Sequence, residues 1–351
     1  MKKIRTITYS KTLNYGAFLQ CYALLRALTA LGYDVGTYDY HPSGNIDDMR
    51  LFKTNTLKIM AKSALSAPIK WKKVRAFKRA FQKINTVQIN DPCDVAVTGS
   101  DQVWNPQLSG NMLDPYFALE KIDAKRKVSY AASIGNEDNV GKYKNDFRRM
   151  IEKLDAISVR EEKAKNALSK ITKRDIQVTI DPTGLLSKAE WEYTISDYEK
   201  DKNRYIFSYF IGIRQDQKKV LAKISKKTRL KVTSYSSLPK ESYIYKRCYS
   251  DGPFEFLARL RDAKLVITSS FHGTILSIIF HKNFYVLMPD PKKRSRMDNI
   301  LKLTGLTNRI IETEADIDKI NLEDIDYTEP QKKLDKLRQE SLDWLKNAMG
   351  D

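Results

Sequence analysis

Short apolar runs alternate with helically spaced apolar positions along most of the chain. Residues 4–8 read as a β-type run. Residues 17–31 then place Phe18, Tyr22, Leu25, Leu28 and Leu31 at helical spacing, with Gly32 positioned as a helix-ending residue. A second strand over 35–40 is stopped by His41-Pro42, and further strand-like runs fall at 94–98, 128–133, 156–159 and 178–180. Helices are predicted between them over 142–154 and 161–169. The pattern restarts after Arg204, with strands at 205–210, 230–234, 265–268 and 284–287. The helices of this second set fall at 215–227, at Pro253 onward with Phe254, Leu257 and Leu260 on one face, and at 273–280. This rhythm predicts an α/β protein with two Rossmann-like domains and mostly parallel sheets. The polar stretch 196–203 marks the boundary, giving an N-terminal α/β domain over 1–198 and a C-terminal one over 199–311. Residues 312–351 form an acidic connector, with eight Asp/Glu against one Lys over 312–329, and a last helix from Pro330. Its stripe of Leu334, Leu337, Leu342 and Leu345 is expected to pack back on the N-terminal domain.

Composition narrows the class. With 42% hydrophobic and 30% charged residues over 351 positions, the chain has the balance of a soluble globular protein. No apolar run approaches the length that spans a bilayer, and no signal-peptide pattern follows Met1-Lys2-Lys3. Cys21, Cys93 and Cys248 are widely spaced, as free thiols in a reducing cytosol would be. The net charge of +19 changes the picture more. Eleven Lys/Arg and no Asp/Glu lie between Met49 and Ile84, among Trp71, Phe77 and Phe81. The basic segment 50–83 is expected to form two helices with a break at Pro68. It reads either as a surface for peripheral contact with an anionic membrane or as a solvated basic face.

Four strand-to-helix junctions are richer in polar residues than connection alone requires, and such junctions are where open α/β sheets bind ligands. At the first, Asn14, Tyr15 and Gly16 stand at a helix start that suits anions or sugar hydroxyls, or serve as a plain cap. At the second, Ser100, Asp101, Gln102 and Trp104 place a carboxylate beside an amide and an indole. That set fits sugar recognition, with Asp101 as a base on a sugar hydroxyl, or a rigid loop bonded to its own backbone. At the third, Ser158 and Glu161 have capping-box spacing, which sets Arg160 in a first helical turn. A cation there opposes the helix dipole and calls for an anionic partner, either a neighbouring glutamate or a ligand. At the fourth, Ser270, His272 and Gly273 lie where an apolar strand runs into a helix. An anion at that tip would meet backbone N–H groups and an imidazole able to donate a proton near neutral pH.

In this order, the segments Asn14-Tyr15-Gly16-Ala17, Thr98-Gly99-Ser100-Asp101-Gln102-Val103-Trp104-Asn105-Pro106, Ser129-Tyr130-Ala131-Ala132-Ser133, Ile157-Ser158-Val159-Arg160-Glu161, Ile180-Asp181-Pro182 and Thr268-Ser269-Ser270-Phe271-His272-Gly273 resemble the polysaccharide pyruvyltransferase family. The resemblance implies a GT-B-like arrangement with an interdomain cleft, acceptor on the N-terminal side and donor on the C-terminal side. It implies transfer of pyruvyl from phosphoenolpyruvate to a sugar of a cell-surface glycan precursor, with a pyruvate ketal and phosphate as products. Arg160 and His272 match the positions that hold the donor, and Arg296 resembles an arginine of a later family segment. Ser269 departs from the acidic or amide residue that many relatives carry there.

His272 and Asp101 are thus the expected catalytic pair. The expected substrate ligands are Arg160, Arg296, Ser270, Gly273, Asn14, Tyr15, Gly16, Ser100, Gln102 and Trp104. Phosphoenolpyruvate is a co-substrate rather than a bound cofactor, and neither a metal nor any other cofactor is expected. The expected partners are phosphoenolpyruvate and a glycan acceptor, with a lipid-linked acceptor and peripheral contact with an anionic membrane as options and no nucleic acid; the expected location is cytoplasmic, with the inner face of the membrane as an option. A nucleotide-sugar glycosyltransferase of GT-B type is the alternative enzyme. A relative that kept the fold and lost the chemistry is another reading. A basic nucleic-acid-binding protein would carry recognition motifs that this chain lacks.

Overall fold

The computed structural model describes residues 1–42, 57–236, 243–288 and 294–350, and side chains outside 57–66. Residues 50–56 of the basic segment therefore lie outside the described residues. The chain opens with β1 (Lys3–Ile7), α1 (Tyr15–Ala30), β2 (Asp34–Tyr38) and the long helix α2 (Leu57–Phe81). It continues through β3 (Thr86–Val87), β4 (Cys93–Thr98), β5 (Ala124–Ala132), α3 (Asp138–Lys142), α4 (Lys144–Glu152), β6 (Ala156–Val159), α5 (Glu162–Ser169) and β7 (Gln177–Val178). The described residues within 1–49, 81–186 and 335–351 pack as one compact unit, and those within 50–80 and 187–334 as a second. The division falls ahead of the polar stretch 196–203, and most of α2 groups with the second unit rather than with the N-terminal sheet.

The sheet of the first unit has the order β3-β2-β1-β4-β5-β6-β7 and is parallel throughout. Its central strands are covered on both faces, as a parallel sheet between helices must be. From β1 the chain steps outward through β2 to β3, then returns to the other side of β1 with β4. The strand order therefore reverses between β1 and β4, and the crevice at their carboxyl ends is the place where such sheets receive ligands.

The second unit adds α6 (Lys188–Thr194), β8 (Tyr205–Tyr209), α7 (Gln215–Thr228), β9 (Lys231–Ser234), β10 (Ile244–Arg247), α8 (Pro253–Asp262), β11 (Leu265–Thr268), α9 (Phe271–Ile279), β12 (Phe284–Leu287), α10 (Ser295–Thr304) and β13 (Ile310–Ile311). The last helix, α11 (Thr328–Ala348), ends among residues of the first unit. The second sheet, β10-β9-β8-β11-β12-β13, is also parallel and reverses between β8 and β11. β11 and β12 are buried at every position, so their cores read as unbroken apolar runs rather than alternating ones.

Three expectations need correction. First, Pro68 does not divide the basic segment: α2 runs through it. An interior proline costs a helix about 3 kcal/mol. Beyond it Val74, Ala76, Phe77 and Ala80 bury one continuous apolar face, which offsets that cost. Second, Ser158 is not a helix cap. It sits inside β6, where its hydroxyl lies 2.8 Å from Thr179 Oγ1 and accepts from the Ala131 amide at 2.9 Å. Third, Glu161 takes the N-cap position of α5, so Arg160 precedes the helix and the dipole argument does not apply to it.

Candidate functional site

In the first unit, five of the polar segments converge on the carboxyl ends of β1, β4, β5 and β6. Gln20, buried in α1, is the staple. Its amide donates to Thr8 Oγ1 at 2.9 Å, and its carbonyl oxygen accepts from the Ser100 amide at 3.2 Å. Thr8 in turn donates to the Ser100 carbonyl at 2.9 Å. Gly99 has φ of +114°, and a Cβ there would stand 2.2 Å from the Tyr130 carbonyl oxygen, so only glycine fits. The Gly99–Ser100 peptide is cis, and Asp101 follows with φ of +64°.

The core of this cluster is ionic. Arg160 is 2% exposed at its side chain. Its Nη1 donates to Asp181 Oδ2 at 2.7 Å and its Nε to Glu161 Oε1 at 3.2 Å, while Nη2 stands 4.0 Å from Asp101 Oδ1. Burial alone would lower the guanidinium pKa, but the carboxylates of Glu161, Asp181 and Asp101 outweigh it and raise it. Asp181 also accepts from the Thr183 amide at 3.0 Å and lies 3.2 Å from the Ser100 hydroxyl. Among the described residues, Arg160 faces the carboxylates of Glu161, Asp181 and Asp101, and these four groups together are net negative. Arg160, expected to hold the donor, is engaged here by these carboxylates.

Other expected ligands of this unit separate by role. Asn14 caps α1, its side-chain oxygen accepting from the amides of Gly16 at 3.0 Å and Ala17 at 3.3 Å. Tyr15 and Gly16 are buried in the first turn of that helix. Ser100 is buried and bonded within the loop. Gln102 accepts from Asn105 Nδ2 at 2.9 Å. Trp104 is fully buried and donates its indole N–H to the Phe117 carbonyl at 3.3 Å. It packs in the apolar core with Phe117 and Phe147, so it is a core residue rather than a platform for a sugar. Asp101 keeps partial exposure and remains the chemically available group. Sequence reasoning missed Gln20 and Tyr9. Gln20 did carry a signal, being an amide at a position of α1 flanked by apolar residues. Tyr9 is buried beside the core, where burial and then the charges of Asp101 and Asp114 push its phenol pKa up.

The second unit builds its site at the β8/β11 reversal. Thr268 Oγ1 donates to the Tyr209 carbonyl at 2.6 Å and accepts from the Ser270 amide at 3.0 Å, fixing the strand end. Ser270 then caps α9, accepting from the Gly273 amide at 3.5 Å. A Cβ on Gly273 would stand 2.4 Å from Thr268 Oγ1, so glycine is what lets the helix approach the strand this closely. His272 is 6% exposed in the first turn of α9, which holds no acidic residue, and its ring meets Phe271 edge-on at 5.2 Å. The helix starts two residues earlier than the apolar spacing predicts, which brings His272 inside the turn rather than ahead of it. Arg296 is half-buried in the first turn of α10, a helix that packs beside α9. Its neighbour Arg294 is committed elsewhere, with both Nη atoms on Glu312 at 2.9 and 2.8 Å and Nε on Asp298.

Residues 14–291 match the sequence model of the family described as polysaccharide pyruvyl transferase. The chain belongs to that family. The match takes in every junction described above up to the α9 tip, and it places the protein in a transferase family. Arg296 lies just beyond the matched residues. Among curated proteins nothing matches the chain. Among solved structures, the chain is similar to UDP-N-acetylglucosamine 2-epimerase from Rickettsia bellii, at 12% identity and a TM-score of 0.50, covering 99% of this chain and 98% of that one. It is also similar to a Listeria monocytogenes protein assigned as a UDP-N-acetylglucosamine 2-epimerase, at 14% identity and a TM-score of 0.50, covering 96% and 90%. At these identities the likeness shows the fold, two Rossmann-like α/β units of GT-B type.

Proposed function

We propose that this family member transfers the pyruvyl unit of phosphoenolpyruvate to two hydroxyls of a glycan sugar, forming a ketal and releasing phosphate. The observation that carries the reading is the tip of α9. A strand end, a capping serine, a histidine and a close-approach glycine stand at a chain reversal, with no acidic residue in the first helical turn. A helix N-terminus of this kind favours phosphate or carboxylate. The net-negative cluster around Arg160 and Asp101 has the opposite character and suits a neutral sugar. On this reading the anionic donor goes to His272, Ser270 and Gly273, with Arg296 as a further cation, and the acceptor goes to Asp101. Arg160 acts by holding the Asp101 loop.

In the reaction, a sugar hydroxyl adds to C2 of the enol ester while C3 takes a proton. The tetrahedral adduct loses phosphate, and a second hydroxyl closes the ketal. Asp101 is the proposed base on the attacking hydroxyl, and His272 clamps or protonates the departing phosphate. No cofactor is invoked. A cell-surface glycan precursor carried on a lipid is the proposed acceptor. No helix among the described residues is long and apolar enough to cross a membrane. Calorimetry against phosphoenolpyruvate and against UDP-sugars tests the donor. Binding of phosphoenolpyruvate that is lost in His272→Ala supports the reading. Binding of a UDP-sugar with none of phosphoenolpyruvate would replace it with a nucleotide-sugar transferase.

A further inference from the structure

Helix α2 divides its side chains sharply. One face buries Val74, Ala76, Phe77 and Ala80 within the second unit. Close by, Arg79 Nη2 lies 3.8 Å from Glu255 Oε1, and a Cβ on Gly252 would meet Ala76. The opposite face presents Trp71, Lys72, Arg75 and Lys78 to solvent, at the spacing of one helical stripe. Trp71 is 48% exposed and Ile69 49%, both large apolar side chains left in water. The Arg75 guanidinium sits 5.5 Å from the centre of the Trp71 ring. From residue 67 to 83 there is no acidic residue to offset the cations.

We propose that this outward face of α2 docks on the surface of an anionic phospholipid bilayer. Charge and an exposed indole together fit a bilayer. The charge complements an anionic leaflet, where each basic side chain adds about 1 kcal/mol of attraction, or roughly fivefold in binding. An exposed indole flanked by cations also matches the headgroup region, where tryptophan is enriched. The apolar face that a free amphipathic helix would insert is used here inside the protein, so the contact is an adsorption on charge and tryptophan rather than an insertion. The inference goes beyond the catalytic reading and does not depend on it.

The test is cosedimentation of the full chain with vesicles of equimolar phosphatidylglycerol and phosphatidylcholine, compared with phosphatidylcholine alone, at low and high salt. Deleting the segment would remove buried Val74 and Phe77, so surface substitutions are used instead. The wild type should bind the anionic vesicles, and binding should fall with salt. The combined variant Lys72→Gln, Arg75→Gln, Lys78→Gln should bind about 100-fold more weakly at low salt, with its thermal midpoint unchanged. The single variants Lys72→Gln and Lys78→Gln keep the test decisive should the triple variant misfold. Trp71→Phe should lose the blue shift that vesicles induce in the wild-type fluorescence. Three results would overturn the proposal. They are wild-type binding no stronger to anionic than to neutral vesicles, charge variants that bind like the wild type, and a single-stranded DNA oligonucleotide that binds more tightly than the vesicles. Neither donor nor acceptor is present in the assay, so a failure here is separate from a failure of pyruvyl transfer.

Discussion

Replacing Arg160 by Met separates two roles that look alike in the sequence. In the fold, the guanidinium stands within 4.0 Å of the carboxylates of Asp101, Glu161 and Asp181. Asp181 is buried and bonded to Arg160, Ser100 and Thr183. Removing one partner of a buried ion pair leaves the other charge uncompensated, at a cost of about 3–5 kcal/mol. For a unit of this size each kcal/mol moves the midpoint by about 2–4 °C, so Arg160→Met should melt roughly 10 °C lower. Adding Asp181→Asn removes the stranded charge and should recover about 1–2 kcal/mol of the loss. Thermal melts followed by circular dichroism give the midpoints. Calorimetry well below them gives the affinity for phosphoenolpyruvate, which should stay within about threefold of the wild type, a difference of under 1 kcal/mol. An Arg160→Met protein that melts like the wild type but no longer binds phosphoenolpyruvate would refute this reasoning and make Arg160 a donor ligand.

Further outcomes follow from the same geometry. Gly273→Ala forces a methyl to within 2.4 Å of Thr268 Oγ1, so the tip of α9 must shift. The variant should lose about 1–3 kcal/mol in urea denaturation and also lose affinity for phosphoenolpyruvate. Burial draws the Lys282 pKa down to about 8 against the opposing charge of Asp262. Above that pH the folded chain has released a proton that the unfolded chain keeps until about pH 10.4, so this group's contribution to stability rises with pH across that window. Lys282→Met should therefore gain most over the wild type near neutral pH, and urea melts should show the gap closing as the pH approaches about 10.

The fold was legible where burial is local. The bounds of β6, β11 and β12 fall where short, mostly apolar runs predict them, because buried strands carry few polar positions to blur the edge. The polar segments marked the strand ends correctly, since the loops at a chain reversal are where a sheet has room for hydroxyls and amides. What the sequence hid is long-range pairing. Arg160 finds Asp181 twenty-one residues away, through the neighbouring strand β7, and no local spacing announces that contact. Trp104 beside Asp101 and Gln102 looks like a sugar platform, yet the turn at Asp101 aims the indole into the core. Pro68 signals a break that the buried face of α2 overrides.

The most direct measurement pairs phosphate release with product mass when the purified protein is incubated with phosphoenolpyruvate and candidate lipid-linked glycans. The account predicts one phosphate released for each acceptor that gains one pyruvyl unit, with His272→Ala slower by about 10²–10⁴-fold. Phosphate release and pyruvylation that continue at the wild-type rate in His272→Ala would contradict it.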